Sequence, residues 1–189
     1  AERFAEDALR MLRALRFAAR LSFRIDGETA AAIHAARTRL RAVAPERLHK
    51  ELSGILCGRQ AAALLEEFSD VLFELIPELA PCQGFRQYNP HHTRDVWTHT
   101  LAVVDGVPPE EPLRLAALLH DAGKPATFFF DKNLVGHFYG HPAAGAAVTE
   151  EVLRRLRYDR ATAEFVTQLV AVHDRPIPDD LRGMRRMLA

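Results

Sequence analysis

The 189-residue chain has the composition of an ordinary globular protein, with 48% apolar and 26% charged residues, and it is long enough to bury a substantial core. Its apolar runs are only a few residues long, far short of the roughly 20 residues that a membrane-spanning helix needs. Two cysteines do not make a disulfide framework. We therefore expect a reduced, cytoplasmic protein with no membrane partner.

The charges are unevenly distributed, although 25 basic and 25 acidic residues balance to a net charge of zero. Residues 1–60 hold 12 Lys/Arg against 7 Asp/Glu, whereas residues 61–189 hold 13 against 18. A basic front part suits contact with the phosphates of nucleotides or RNA. Because surface arginines are common, the imbalance alone is equally compatible with an ordinary solvated surface.

Helical periodicity dominates the first part of the chain. The spacing of apolar residues predicts helices over about 5–21, 28–41, 46–57 and 60–75. Asp26 is placed to cap the second of these helices, and Pro45 fits the first turn of the third. The periodicity stops between Pro77 and Arg94, where proline, glycine and asparagine are frequent, and this segment predicts a connection between two parts.

Helical patterns resume after the connection, at about 95–105, 111–122, 142–157, 160–174 and 178–188. Only Ala126–Tyr139 resembles strand, turn, strand. The predicted fold class is therefore mainly α, with helices over 1–76, a connection over 77–94, and an all-helical domain over 95–189 that has room for one small β-hairpin. Both ends of the sequence lie inside helical patterns, so we expect a piece of a longer protein.

Seven of the nine histidines lie after residue 90. His99 lies within a predicted helix, and the doublets His120-Asp121 and His173-Asp174 each end an apolar helix. Such groups need partners when they are buried, and imidazole together with carboxylate suits a divalent ion such as Mg, Mn, Ni, Zn or Fe. Separate helices would have to converge on one site. Each doublet alone is a weak signal, because a single histidine at a helix end is more often a cap or a core residue.

The set becomes specific when His141 is included. His99, His120-Asp121 and His141 resemble the HD superfamily of metal-dependent phosphohydrolases, whose pattern is a His, a His-Asp pair and a distant Asp. The resemblance makes 95–189 an HD domain. It implies six metal-ligand candidates: His99, His120, Asp121, His141, His173 and Asp174.

The distant aspartate is the least distinctive member of this pattern, because Asp159 and Asp179 compete with Asp174 for the position. A divalent ion in such proteins lowers the pKa of bound water and neutralises a phosphoryl oxygen. The resemblance implies a catalytic role for Asp121, and Lys124, directly after the doublet, is placed to attract a phosphate. The remaining histidines of this part, His91, His92 and His137, are expected to be structural or solvent-facing.

The first predicted helix carries a carboxylate and three arginines at steps of three, namely Asp7, Arg10, Arg13 and Arg16. Asp7 and Arg10 could hydrogen-bond side by side to the edge of a base, while Arg13 and Arg16 could meet phosphates or stack. The spacing by itself favours an ion-paired, solvated helix face.

Two motifs change this interpretation. Glu6-Asp7-x-x-Arg10, followed by Leu12-Arg13-x-x-Arg16-Phe17, looks like the nucleobase-recognition motif of the class II CCA-adding tRNA nucleotidyltransferases and the related poly(A) polymerases. Pro45-Glu46-Arg47-Leu48-x-x-Glu51-Leu52 resembles the motif of the neck that follows. The resemblance implies nucleotide binding by the aspartate and the arginines, with CTP and ATP as substrates of the parent enzyme and tRNA as its partner.

The sequence departs from that family in one respect. It lacks the upstream head with a Gly-Ser segment and an Asp-x-Asp pair, without which two-metal phosphoryl transfer cannot be assembled. The expected parent adds CCA to tRNA, while this chain retains at most an HD phosphohydrolase acting on cyclic phosphates, 2′-nucleotides or simple esters. Two alternatives stay open: a non-catalytic tRNA- and nucleotide-binding scaffold with a structural or vestigial metal site, and a stand-alone HD nucleotide hydrolase.

Overall fold

The structure is a computed structural model that describes residues 4, 6–89 and 94–176. The described residues are mainly α-helical with one short hairpin, which confirms the predicted fold class. The helices are α1 Leu9–Leu21, α2 Gly27–Ala36, α3 Pro45–Leu56, α4 Ala61–Glu67, α5 Ser69–Leu75, α6 Val96–Gly106, α7 Glu111–Leu119, α8 Lys124–Thr127, α9 His141–Arg155 and α10 Arg160–Val172. Two 3-10 turns cover Arg37–Ala42 and Pro77–Cys82, and the strands are β1 Phe129–Phe130 and β2 Gly136–His137. The helix predicted over 178–188 lies outside the described residues.

Two predicted helices are each divided in the structure. The helix expected over 28–41 becomes α2 and a 3-10 turn, and the Arg37 guanidinium at this point donates to the His34 carbonyl, 2.6 Å away. The helix expected over 60–75 becomes α4 and α5, which meet at Phe68. The Phe68 residue is 1% exposed and its ring stacks on His34. The interruption between α4 and α5 therefore coincides with tertiary packing, and no glycine or proline in the sequence predicts it.

Aspartate side chains cap the first turns of α2, α6 and α10. Asp26 accepts hydrogen bonds from the Glu28 and Thr29 amides at the start of α2, as predicted. Asp95 caps α6 through the Thr98 amide at 2.7 Å. An acceptor at this position satisfies amides that have no partner within the helix.

One continuous hydrophobic core unites the parts before and after the connection. Helix α1 packs on α3, and α3 in turn contacts the residues after α9. The His49 ring lies 2.8 Å from the Leu156 carbonyl, and the Ser53 hydroxyl lies 3.0 Å from that of Tyr158. No helix among the described residues is long and apolar enough to cross a membrane.

Residues 87–89 of the connection pack against the hairpin. Strands β1 and β2 are antiparallel, and the Gly136 amide donates to the Tyr88 carbonyl at 2.7 Å. A side chain at Gly136 would collide with the Gln87 carbonyl oxygen, so the close approach requires glycine. The connection thereby brings Gln87 to the interior of the second part.

Candidate metal centre and recognition helix

Four helices deliver the histidines and the aspartate to one place. His99 lies in α6, His120 and Asp121 follow α7, His141 begins α9, and His173 follows α10. The close approach of the α7–α8 turn to α9 depends on small residues. A Cβ atom added at Gly123 would collide with the backbone of His141 and Gly145, so larger residues there would push the two halves of the site apart.

Asp121 lies at the centre of the cluster. Its Oδ2 atom is 3.1 Å from His120 Nε2 and 3.7 Å from His99 Nε2. Its Oδ1 atom is 3.6 Å from His141 Nε2 and 3.7 Å from His173 Nε2, and these two Nε2 atoms are 3.2 Å apart. The donors form two groups of three, each within 4.8 Å and both containing Asp121: His99, His120, Asp121 and Asp121, His141, His173.

Backbone carbonyls fix the orientation of three of the rings. The Nδ1 atom of each ring lies within hydrogen-bond distance of the carbonyl three residues earlier: His120 to Ala117 at 2.8 Å, His141 to Phe138 at 2.9 Å and His173 to Val170 at 2.7 Å. A ring that donates its Nδ1 hydrogen to a carbonyl has its lone pair on Nε2. In all three cases Nε2 is the atom that faces Asp121.

Lys124 and Gln87 support the carboxylate from the other side. The Lys124 ammonium lies 2.8 Å from Asp121 Oδ2 and donates to Gln87 Oε1 at 2.9 Å. Both residues are buried, with exposed fractions of 5% and 2%. Sequence reasoning missed Gln87, because an uncharged residue in an aperiodic segment gives no signal of a buried polar role.

The pKa shifts of Asp121 and His141 favour metal binding, whereas the pKa shift of His173 favours its protonated ring. Burial disfavours the Asp121 carboxylate, but the neighbouring His120 and His173 rings and the Lys124 charge outweigh it and hold the Asp121 pKa below its ordinary value. Burial also lowers the pKa of His141, which favours the neutral ring. The pKa of His173 is raised, because its interaction with Asp121 outweighs the effect of burial. An ionised carboxylate and neutral imidazoles are the forms that bind metal.

The donor set fits a divalent ion. Asp121 Oδ2 is buried and accepts no hydrogen bond, although the Lys124 ammonium forms an ion pair with it at 2.8 Å. Atoms that ligate one ion at about 2.0–2.2 Å lie roughly 3–3.5 Å from one another. The 3.1–3.7 Å separations around Asp121 are close to this spacing. A divalent ion would complete the coordination of a buried carboxylate oxygen that accepts no hydrogen bond and faces several imidazole nitrogens.

A cavity of about 350 Å³ opens onto these donors. Asp174 lines it, but the two compact groups of donors found among the described residues do not include Asp174. Its competitor Asp159 instead caps α10, through the Thr162 amide at 3.0 Å. His137 also lines the cavity and lies 3.3 Å from Asp131. Asp179, His91 and His92 fall outside the described residues.

Asp7, directly before the front helix α1, interacts with Arg47 of α3. Asp7 Oδ1 accepts a hydrogen bond from the Leu9 amide at 3.1 Å, and Asp7 Oδ2 lies 3.3 Å from the Arg47 guanidinium. Arg10 pairs with Glu6 at 3.0 Å. A surface cavity of about 520 Å³ lies beside Asp7 and is lined by Arg39 and Arg47 as well. The two family-like motifs of the sequence are therefore in contact.

Arg13 and Arg16 form ion pairs with Glu51 of α3. The distances are 3.4 and 2.6 Å, and the Glu51 side chain is only 8% exposed. The Arg16 guanidinium also lies over the Phe17 ring, 4.6 Å from its centroid. These contacts match the ion-paired interpretation of the helix face and add Glu51, which the sequence does not mark as the shared partner.

Comparison with known proteins agrees with both parts of the structure. Residues 91–188 match the family model of the HD domain, and residues 22–82 match the model described as a probable RNA and SrmB-binding site of polymerase A. The HD match covers more than half of the chain, and the chain belongs to the HD-domain family.

Three curated relatives resemble nearly the whole chain. The CC-adding tRNA nucleotidyltransferase of Thermus thermophilus is 38% identical over 98% of this chain and 45% of its own length. The A-adding tRNA nucleotidyltransferase of Deinococcus radiodurans is 34% identical over 96% and 45%, and the multifunctional CCA protein of Ralstonia nicotianae is 36% identical over 91% and 42%. The chain thus spans less than half the length of these relatives. The resemblance to the CCA-adding tRNA nucleotidyltransferases and to the HD superfamily, which the motifs indicated, is confirmed.

Proposed function

We propose that this chain is the RNA-binding neck and HD domain of a tRNA nucleotidyltransferase, and that its HD centre is a divalent-metal phosphohydrolase site. The convergence of imidazole Nε2 atoms on the buried Asp121 carboxylate carries the second statement. The CC-adding and A-adding tRNA nucleotidyltransferases among its relatives support the first, with tRNA as the partner and CTP and ATP as the substrates of the whole protein. A cytoplasmic location, expected from the sequence, is part of the proposal.

The metal ligands are assigned around the shared carboxylate. His99, His120 and Asp121 would hold one ion, while His141 and His173 would bind either the same ion or a second one next to it. Asp174, which lines the cavity, is proposed as a further ligand. Nitrogen-rich donors with one carboxylate favour Zn, Fe, Ni or Mn over Mg. A bound ion would supply a lowered pKa for its water and positive charge for a phosphoryl oxygen.

Lys124 and Asp121 are the proposed catalytic pair of the chain itself. The Lys124 ammonium holds the orientation of Asp121 and lines the cavity in which a phosphate would lie. Its positive charge acts strongly there because the site is partly shielded from water. Gln87 keeps the ammonium in place.

The front helix is the proposed nucleotide-reading element. Asp7 and Arg10 would pair with the edge of a base, because a carboxylate and a guanidinium together offer acceptors and donors in one plane. Arg13 and Arg16 are proposed to contact nucleotide from positions that Glu51 maintains. The remaining two interpretations, a binding scaffold without catalysis and a stand-alone hydrolase, have no structural observation that favours them.

Metal content and hydrolysis test the HD proposal together. We expect the purified chain, loaded with Ni, Mn or Zn, to hold near-stoichiometric metal and to hydrolyse cyclic and simple phosphate esters. The double variant His120→Ala/Asp121→Ala should lose both, while His34→Ala, which alters a histidine paired with Asp70 outside the cavity, should lose neither. Metal uptake or turnover that persists in the double variant would exclude this site.

A further inference from the structure

An aromatic cluster borders the cavity of the HD centre. The rings of Phe129, His137 and Tyr139 come from the hairpin and the residues directly after it. Their centroids are 5.5 Å apart for Phe129 and His137, 5.2 Å for His137 and Tyr139, and 5.5 Å for Phe129 and Tyr139. His137 and Tyr139 line the cavity together with Asp121. His137 and Tyr139 therefore flank the space in which a substrate phosphate would lie, and the Phe129 ring adjoins both of them.

The cluster is open to solvent. Tyr139 is 74% exposed and Phe129 is 43% exposed. A single exposed aromatic ring needs no explanation. Adjoining rings beside the cavity of the HD centre instead form an exposed aromatic surface next to a candidate ligand site. Exposed aromatic faces of this kind are used to stack nucleobases, and such stacking accepts every base because each has a π-face.

The hairpin holds these rings in place before any ligand arrives. Asp131 Oδ1 accepts hydrogen bonds from the Asn133 and Val135 amides, both at 2.9 Å, and Asp131 Oδ2 lies 3.3 Å from His137 Nε2. On the other side, the Asn89 amide donates to the Gly136 carbonyl at 3.2 Å. A platform that is already ordered loses little conformational entropy when a ligand stacks on it.

We propose that Tyr139, supported by His137 and Phe129, is the nucleobase platform of the HD site, which therefore takes nucleoside phosphates in preference to phosphate esters without a base. This inference rests on the proposed function, because the phosphate is assigned to the metal centre. The cavity of about 350 Å³ falls within the size range of small-ligand pockets, about 300–1,000 Å³. Histidine and lysine groups at one end suit a phosphate, and the exposed tyrosine ring at its edge suits a base.

Binding of two probes to the full chain tests the platform. Adenosine 2′-monophosphate carries a base and glycerol 2-phosphate does not, so their dissociation constants, measured by calorimetry with and without Mn²⁺, isolate the contribution of the base. We expect the nucleotide to bind more tightly than glycerol 2-phosphate. The Tyr139→Ala variant should weaken nucleotide binding about tenfold, as expected for the loss of one stacking contact, and leave glycerol 2-phosphate unchanged.

Two further variants separate stacking from other effects. Tyr139→Phe keeps the ring and should retain nucleotide affinity. Leu134→Ala alters a side chain of the same hairpin that is 76% exposed and does not line the cavity, and it should change neither probe. Since Tyr139 is exposed, Tyr139→Ala should keep the wild-type circular dichroism spectrum.

The inference is overturned if the wild type binds both probes equally, if Tyr139→Ala leaves nucleotide binding unchanged, or if the variant weakens both probes alike. The failure of the proposed phosphohydrolase has a different signature. In that case no ester is hydrolysed after metal addition, while the nucleotide still binds in a manner that depends on Tyr139, and the platform stands without the catalysis.

Discussion

The metal centre and the front helix both concentrate charged groups, but their interactions differ. Around Asp121, the rings of His120, His141 and His173 place Nδ1 against backbone carbonyls and direct Nε2 toward the carboxylate. The backbone contacts therefore orient the rings while Nε2 stays available to bind a ligand. On α1, the charges of Arg13 and Arg16 are engaged by Glu51. The first region thus leaves its donor atoms directed at a ligand position, whereas in the second region Glu51 fixes the helix against its neighbour and holds the two arginines that are proposed to contact nucleotide. Substitutions in the two regions should separate ligand binding from stability.

The largest effect is expected from Asp121→Asn. This change removes the carboxylate that both groups of donors share, and it should reduce metal affinity and ester hydrolysis at least about a hundredfold, more than the loss of a supporting residue. Elemental analysis and steady-state kinetics measure the two quantities. Asp105→Asn, which alters an exposed carboxylate of α6, serves as the control. Retention of full metal occupancy in Asp121→Asn would contradict the assigned centre.

Glu51→Gln should destabilise the fold without affecting metal binding. The change leaves the partly buried Arg16 without its charged partner, and we expect a loss of about 2 kcal/mol in the free energy of unfolding, below the range for fully buried pairs because both arginines reach solvent. Chemical denaturation measures the loss. Glu46→Gln, an exposed position on the same helix, should be close to neutral. If Glu51→Gln kept the wild-type stability but bound less metal, the assignment of Glu51 to stability and not to ligand binding would be wrong.

Gln87→Leu tests how the centre is supported. Without its amide oxygen the Lys124 ammonium loses a buried acceptor, and hydrolysis should fall about tenfold, at the lower end of effects reported for supporting residues of metal sites. Metal content should stay near that of the wild type, since Gln87 is not among the donors. Unchanged kinetics in Gln87→Leu would show that the Lys124 position does not depend on it.

The smallest effect is expected at the ion pair between Glu78 and Arg155. Burial opposes the Glu78 charge, but the Arg155 hydrogen bonds at 2.6 and 2.8 Å hold the Glu78 pKa below its ordinary value. Its stabilisation is therefore complete above the ordinary carboxyl pKa and disappears as the pH falls through the lowered one. Glu78→Gln should lose about 0.5 kcal/mol at pH 7, as is usual for partly exposed pairs. The difference from wild type in thermal unfolding should shrink in acid, and a constant difference would contradict it.

The sequence predicts the helical class and most of the candidate centre because those features depend on local patterns. Apolar spacing marks the helices, and the set of His99, His120-Asp121 and His141, through its resemblance to the HD superfamily, marks the centre. Gln87 and Glu51 could not be found in this way, because each acquires its role only when a distant segment packs against it. The same holds for Phe68, whose break between helices is sustained by the His34 ring.

The contacts of α3 have a consequence for how this protein can be divided. Two family models match separate stretches of the chain, yet the buried side chains of both stretches belong to one core. A cut between them would expose apolar side chains of this shared core to water. Modules that are distinct in sequence therefore form one cooperative folding unit, and we expect a single transition when heat capacity and circular dichroism follow unfolding together.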